Sequence, residues 1–193
     1  MSRFLLTASQ TVGPFFAPCL LREDACRNVL ARRETVGERI RIEGRVFDGD
    51  GVPVPDAMVE IWQADGHGRY NHPDDVGTAS LDSDFTGFGR SGTGEDGSYW
   101  FETIKPGPVP FNTQQWQAPH IVVTIFARGL LNHLVTRLYF ADEPANTSDP
   151  ILQLVPDERR ATLLARGETN GETSIYRFDI VLQGTGETAF FNL

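Results

Sequence analysis

Apolar and polar residues alternate with a period of two along much of this chain. The run ERIRIEGRVF (38–47) puts Ile40, Ile42 and Val46 on one face and Arg39, Arg41, Glu43 and Arg45 on the other. Successive strand side chains point to opposite faces, so the pattern predicts a strand with one buried side. A DGDG turn follows, and then DAMVEIW, with Ala57, Val59 and Ile61 on one side. SYWFETI, HIVVTIFA, HLVTRLYF, SIYRFDIVLQG and ETAFF continue the series, separated by Gly-, Asp- and Pro-containing turns. At least seven short strands with turn chemistry between them predict a mostly-β chain, either a sandwich or a barrel.

Helical signals are few. Pro156, the acidic residues after it and a closing arginine predict a helix over roughly 156–166. REDACRNVLARRE allows a second one near 22–33. The stretch from about 63 to 97 is polar and glycine-rich and reads as one long loop, a feature usually functional or used as a packing arm.

Composition narrows the function classes. The chain has 193 residues, enough for one domain with a sizeable core plus an arm. Its formal charge of -9 argues against a nucleic-acid backbone as partner. Cys19 and Cys26 are the only cysteines and form no CxxC pair, so neither a disulfide scaffold nor structural zinc is expected. The apolar run in MSRFLLTASQ is too short for a signal peptide and nothing approaches a membrane span, so a cytoplasmic location is expected.

Candidate chemistry is sparse. His67 and His72 fit no zinc spacing and read as loop residues. His120 and His133 open neighbouring strands and could approach each other; the plainer reading gives each a carbonyl partner at a strand end. In WQAPHIVV, a ligand two residues after His120 would share its face, but Val122 stands there. Ser91 lacks the strand-turn-helix context of a nucleophile, and GTGEDG lacks the lysine of a phosphate loop.

One set of motifs is specific. IEGRVFDGDGVPVPDAMVEIWQADGHGRY resembles the intradiol ring-cleaving dioxygenases, and SQTVGPFF, TIKPGPVP, APHI, TRLYF and YRFDIVLQG resemble further parts of them in the same order, from about Thr7 to Phe191. The resemblance implies that family's β-sandwich, with one or two short helices. It implies a long N-terminal arm over 1–37 packing on a partner chain, and a core domain over 38–193. It also implies intradiol cleavage of a catechol by O2 at a ferric ion held by two tyrosines and two histidines. Fe(III) is a hard ion suited to phenolate and imidazole, and its charge keeps the phenols ionised.

Matched residue by residue, the ligand positions are degenerate. The two tyrosine positions fall on Gly77 and Val109, and the two histidine positions on His120 and Val122. The family's arginine before the first histidine is Gln117, and its glutamine before Leu-Tyr-Phe is Arg137. The similarity is greatest to the iron-free alpha-type chain of members built from two related chains. It then implies no catalytic residue within this chain alone and Fe(III) bound by a homologous beta-type partner. It implies alpha-beta units acting on protocatechuate and O2, with Gly13, Pro14, Phe15 and Arg128 lining the partner's cleft. Two other readings stay open: an independent intradiol dioxygenase drawing ligands from Tyr70, Tyr99, Tyr139 or Tyr176, and a non-enzymatic β-sandwich interaction domain.

Overall fold

The computed structural model describes residues 8–9, 12–75, 77–82, 84–170 and 173–192. Its strands are β1 (Arg39–Phe47), β2 (Met58–Gln63), β3 (Phe88–Gly92), β4 (Ser98–Ile104), β5 (Val109–Pro110), β6 (Trp116–Gln117), β7 (His120–Phe126), β8 (Leu134–Phe140), β9 (Leu164–Asn170), β10 (Thr173–Arg177) and β11 (Ile180–Val181). β3, β2, β7 and β8 lie side by side, antiparallel, as one layer. β4, β1 and β10 form the other, with β11 alongside β1. β9 joins the layers: Leu164 and Ala165 pair with β8, and the residues after them pair with β10.

The period-two pattern is what fills the space between the layers. Ile40, Ile42 and Val46 of β1 and Phe101 of β4 meet Val59, Ile61, Ile121, Val123, Ile125 and Leu138, all buried. The alternation read from β1 therefore holds, with Arg41 and Glu43 on the outer face joined at 2.6 Å. Gly44 marks a close approach. A Cβ there would lie 1.8 Å from the Phe178 carbonyl, which also accepts a hydrogen bond from the Tyr99 hydroxyl at 2.6 Å.

β2 departs from simple alternation because both of its faces are covered. Phe16 of the short helix α1 (Phe16–Leu20) packs on Met58 and Phe126 on the outer side. The buried Glu60 carboxylate is held by Arg90 at 2.7 Å.

Several expected elements differ. Residues 22–33 form no helix; Arg27 and Arg90 exchange backbone hydrogen bonds, and Leu30 N–H donates to the Glu102 carbonyl. A sheet edge offers this segment backbone partners and a core site for Leu30, which an isolated helix could not match. The expected 156–166 helix is only α2 (Asp157–Arg160) followed by a 3-10 turn over Ala161–Leu163. It stops because β9 begins at Leu164, where sheet pairing on both sides replaces helical bonds. The 63–97 stretch is not one loop, since it contains β3, whose FGRSG sequence carries little apolar signal. ETAFF contributes only an isolated bridge between Phe191 and Val135. Most of the chain ahead of Val12 lies outside the described residues.

Candidate functional site

The antiparallel register of β2, β7 and β8 sets Trp62, Val122 and Arg137 in line across the outer face of one layer. Residues two apart share a face, so His120 and its cross-strand partner Tyr139 sit beside them. Next to this row opens a cavity of about 460 Å³ lined by Trp62, Arg69, Tyr70, Gly77, Val109 and Pro110, among others. Gly77 and Val109 thus share one cavity, and Val122 lies directly across from its Trp62 wall.

A buried aspartate folds the loop that forms this cavity. Asp65 accepts hydrogen bonds from the backbone N–H groups of His67, Arg69 and Asp82. At Gly68, φ is +78° and a Cβ would come within 2.0 Å of the Pro108 carbonyl, so only glycine lets the loop close on the segment carrying Val109. Arg69 and Asp75 pair at 2.9 Å, and a Cβ on Gly77 would meet Arg69 at 2.6 Å. The space that a tyrosine would need at 77 is therefore held by an ion pair. Asp65 stands within the family motif, but its role in ordering the loop is not legible there beyond the turn signal of Asp before Gly.

Arg137 and Gln117 touch. The guanidinium donates to Gln117 Oε1 at 2.7 Å and to the Tyr139 hydroxyl at 3.4 Å. These are the two positions at which the family resemblance expects glutamine and arginine, respectively. Relative to that expectation the two residue types are exchanged, which puts the positive charge on β8 and not on β6.

The charge shapes its surroundings. His120 is 2% exposed, and burial, with Arg137 adding to it, lowers its pKa to about 4. It is neutral at pH 7. Its Nδ1 lies 2.8 Å from the Ala118 carbonyl, which accepts the Nδ1 proton and so fixes the tautomer. Burial raises the Tyr70 and Tyr139 hydroxyls above the usual phenol range, while Arg137 pulls both back.

A ferric ion does not fit these residues. Gly77, Val109 and Val122 offer no donor atom, the remaining histidine stands alone, and a guanidinium lies beside it. The four tyrosines supply no alternative set. Tyr99 donates to the Phe178 carbonyl, Tyr139 to Asp149 at 3.1 Å and Tyr176 to Asp142 at 3.0 Å, whereas Tyr70 is stacked on Trp62 at 5.9 Å. Among the described residues no group of three or more His, Cys, Asp or Glu could hold a metal ion.

The other histidines are placed apart from this site or serve the loop. His120 and His133 do not approach each other, because β7 and β8 are antiparallel and their first residues lie at opposite ends of the pair. His133 instead packs on Phe126, and its Nδ1 lies 2.8 Å from Ser9 Oγ. His72 accepts the Asp74 N–H through Nδ1 at 3.2 Å, which orders the loop, and His67 is exposed. Ser91 is buried and takes a hydrogen bond from Asn28.

Asp149 was not legible as a site residue. Fully buried, it accepts from the Tyr139 hydroxyl and from the N–H groups of Ala118, Ile151 and Leu152. Asp149→Asn would turn an N–H toward one of these donors. We expect it to lower unfolding free energy by about 3 kcal/mol, seen as a lower urea midpoint at unchanged slope. His120 gives a pH dependence. The unfolded chain takes up a proton near pH 6.5 that the folded chain refuses until about 4. Stability should therefore fall as pH drops through that window, by about 3 kcal/mol in all, and His120→Gln should flatten the slope there.

Gly13, Pro14, Phe15 and Arg128 lie at the other end of the layer. Gly13 precedes α1, whose Phe16 packs on Phe126, and Arg128 follows Phe126 by two residues. Phe15 is 78% exposed, and the exposed Arg128 pairs with Asp56 at 3.0 Å. All four are exposed, and none lines this chain's own cavity.

Residues 12–184 match the family described as Dioxygenase. The protocatechuate 3,4-dioxygenase alpha chain of Burkholderia cepacia is 45% identical over 205 aligned positions, spanning all of both chains. The beta chain from the same organism is 40% identical over 87% of this chain and 74% of its own length. Among solved structures, the dioxygenase domain of a dioxygenase–carbohydrate-binding fusion from Streptomyces sp. SirexAA-E superposes with a TM-score of 0.64 at 31% identity. That match covers 94% of this chain and 97% of that domain.

Proposed function

This chain belongs to the intradiol ring-cleaving dioxygenase family, and from that premise we propose that it is the alpha subunit of a protocatechuate 3,4-dioxygenase. In this reading a homologous beta subunit holds Fe(III), and the assembled enzyme cleaves protocatechuate with O2 to 3-carboxy-cis,cis-muconate. The observation that carries it is the donor set. Glycine, valine and valine stand where a ferric site needs ligands, and an arginine projects beside the one histidine left. A chain similar throughout its length to alpha chains, yet lacking ligands of its own, is suited to completing a site held elsewhere.

An exposed surface supplies the means. Gly13, Pro14, Phe15 and Arg128 are exposed at one end of the β2–β7–β8 layer. Of the segment up to about 37, the exposed part would meet the partner, whereas Phe16 and Leu30 are buried in this chain's own core. An exposed aromatic and an exposed guanidinium, brought together at one cleft, would suit a carboxylated aromatic ring. The Arg128–Asp56 pair is solvent-exposed and worth at most about 1 kcal/mol, so a substrate carboxylate can compete for the arginine.

Co-expression with a homologue bearing two tyrosines and two histidines at the ligand positions tests the proposal. The two chains should co-purify, with one iron per pair and none on this chain alone. Ferric iron bound tightly by the isolated chain would favour an independent dioxygenase; failure to associate with any such homologue would favour an interaction domain.

A further inference from the structure

Asp56 and Arg128 face each other by register. Met58 of β2 pairs with Phe126 of β7, and the antiparallel count continued two residues outward sets Asp56 opposite Arg128. The arginine's Nε lies 3.1 Å from Asp56 Oδ1 and 3.0 Å from Oδ2. Among the described residues Asp56 is the guanidinium's one hydrogen-bonding partner. A guanidinium carries five N–H donors in one plane. Held at Nε, it leaves the edge formed by Nη1 and Nη2 open, and such an edge matches the two oxygens of a carboxylate.

Asp56 is the fixed member of the pair. It stands on a turn flanked by Val54 and Ala57, both buried. Thr93 pins that turn. Its hydroxyl accepts the Ala57 N–H at 3.0 Å and donates to the Val54 carbonyl at 2.7 Å, and its own N–H donates to the Ala57 carbonyl at 2.9 Å. Pro55 fixes the backbone just ahead of Asp56. Arg128, in contrast, lies in the connection between β7 and β8, with 64% of its side chain exposed. Ordering so long a side chain at the moment of binding costs affinity, and a partner that orders it beforehand removes the cost. The aspartate's charge works the other way, because it repels a second carboxylate nearby. Orientation and charge are therefore separable.

We propose that Asp56 is a positioning residue: it holds the Arg128 guanidinium at Nε so that the Nη edge is presented to the substrate carboxylate at the partner's cleft. The proposal rests on the alpha-subunit reading and adds to it the residue that sets the arginine's aim.

Asp56→Asn and Asp56→Ala, each assembled with the beta-type partner, test it by steady-state kinetics. Both remove the charge, and only asparagine keeps an oxygen for Nε. KM for protocatechuate should be about three- to tenfold higher in Asp56→Ala than in Asp56→Asn, the cost of ordering one long side chain on binding, with kcat alike in the two. The two variants should not differ with plain catechol, nor with protocatechuate once Arg128→Ala is added to both. Co-purification and iron content report whether the assembly is intact. Failure of the native chains to associate would bring down the alpha-subunit reading and this proposal with it. In an intact assembly, equal KM for protocatechuate in the two variants, an equal difference with catechol, or a difference that survives Arg128→Ala would each overturn the role of Asp56 and leave that reading standing.

Discussion

Arg128→Ala in the assembled enzyme should lower kcat/KM for protocatechuate by about 10- to 150-fold and leave plain catechol nearly unaffected. The range corresponds to one charged hydrogen bond in a partly buried site, about 1.5–3 kcal/mol. Among the described residues the exposed guanidinium pairs with Asp56, a solvent-exposed contact on which the fold depends little. Assembly and iron content should be unchanged, because Arg128 lies at the end of β7 opposite His120. Steady-state kinetics with both substrates on the reconstituted complex separate the possibilities. An equal loss on the two would mean that Arg128 acts on structure and does not read the carboxylate; no loss on either would return it to the status of a surface charge.

Restoring a ferric centre to this chain should take more than the missing ligands. Val122→His alone should give no tight iron, since two imidazoles are too few for a hard trivalent ion. Adding Gly77→Tyr and Val109→Tyr supplies four donors, but two cations stand in the way. The Gly77 position is pressed by Arg69, which Asp75 holds, and Arg137 puts its charge beside His120. We expect stoichiometric iron and a tyrosinate-to-iron charge-transfer band only when Arg69 is shortened and Arg137→Gln is added to the triple variant. The natural measurements are metal analysis and the visible spectrum after anaerobic loading and oxidation. A red, iron-replete Val122→His single variant would sink both this expectation and the assignment of the ligand positions.

The sequence by itself determined much of this. Strict alternation in β1 fixed which residues face the core, since a one-residue slip would bury four charged side chains. The ordered motifs carried the family, and the residue types at 77, 109 and 122 settled that no side-chain donor atoms stand there, because the side chains of glycine and valine have none in any fold. The tertiary structure decided what no local pattern encodes. LARGETN has no apolar alternation, and it became β9 because two sheets needed a common strand. Residues 22–33 had a passable helical pattern, and a sheet edge with unpaired backbone groups took them. His120 and His133 look like neighbours on paper, yet antiparallel pairing sends strand starts to opposite ends. The exchange of Gln117 and Arg137 is visible as two separate substitutions, but only the folded chain, which brings β6 against β8, puts them 2.7 Å apart. Period and residue type are properties of a few adjacent positions and survive in sequence. Partners, register and the unmatched charge of Arg137 are relations between distant segments, and they exist only once the chain has folded.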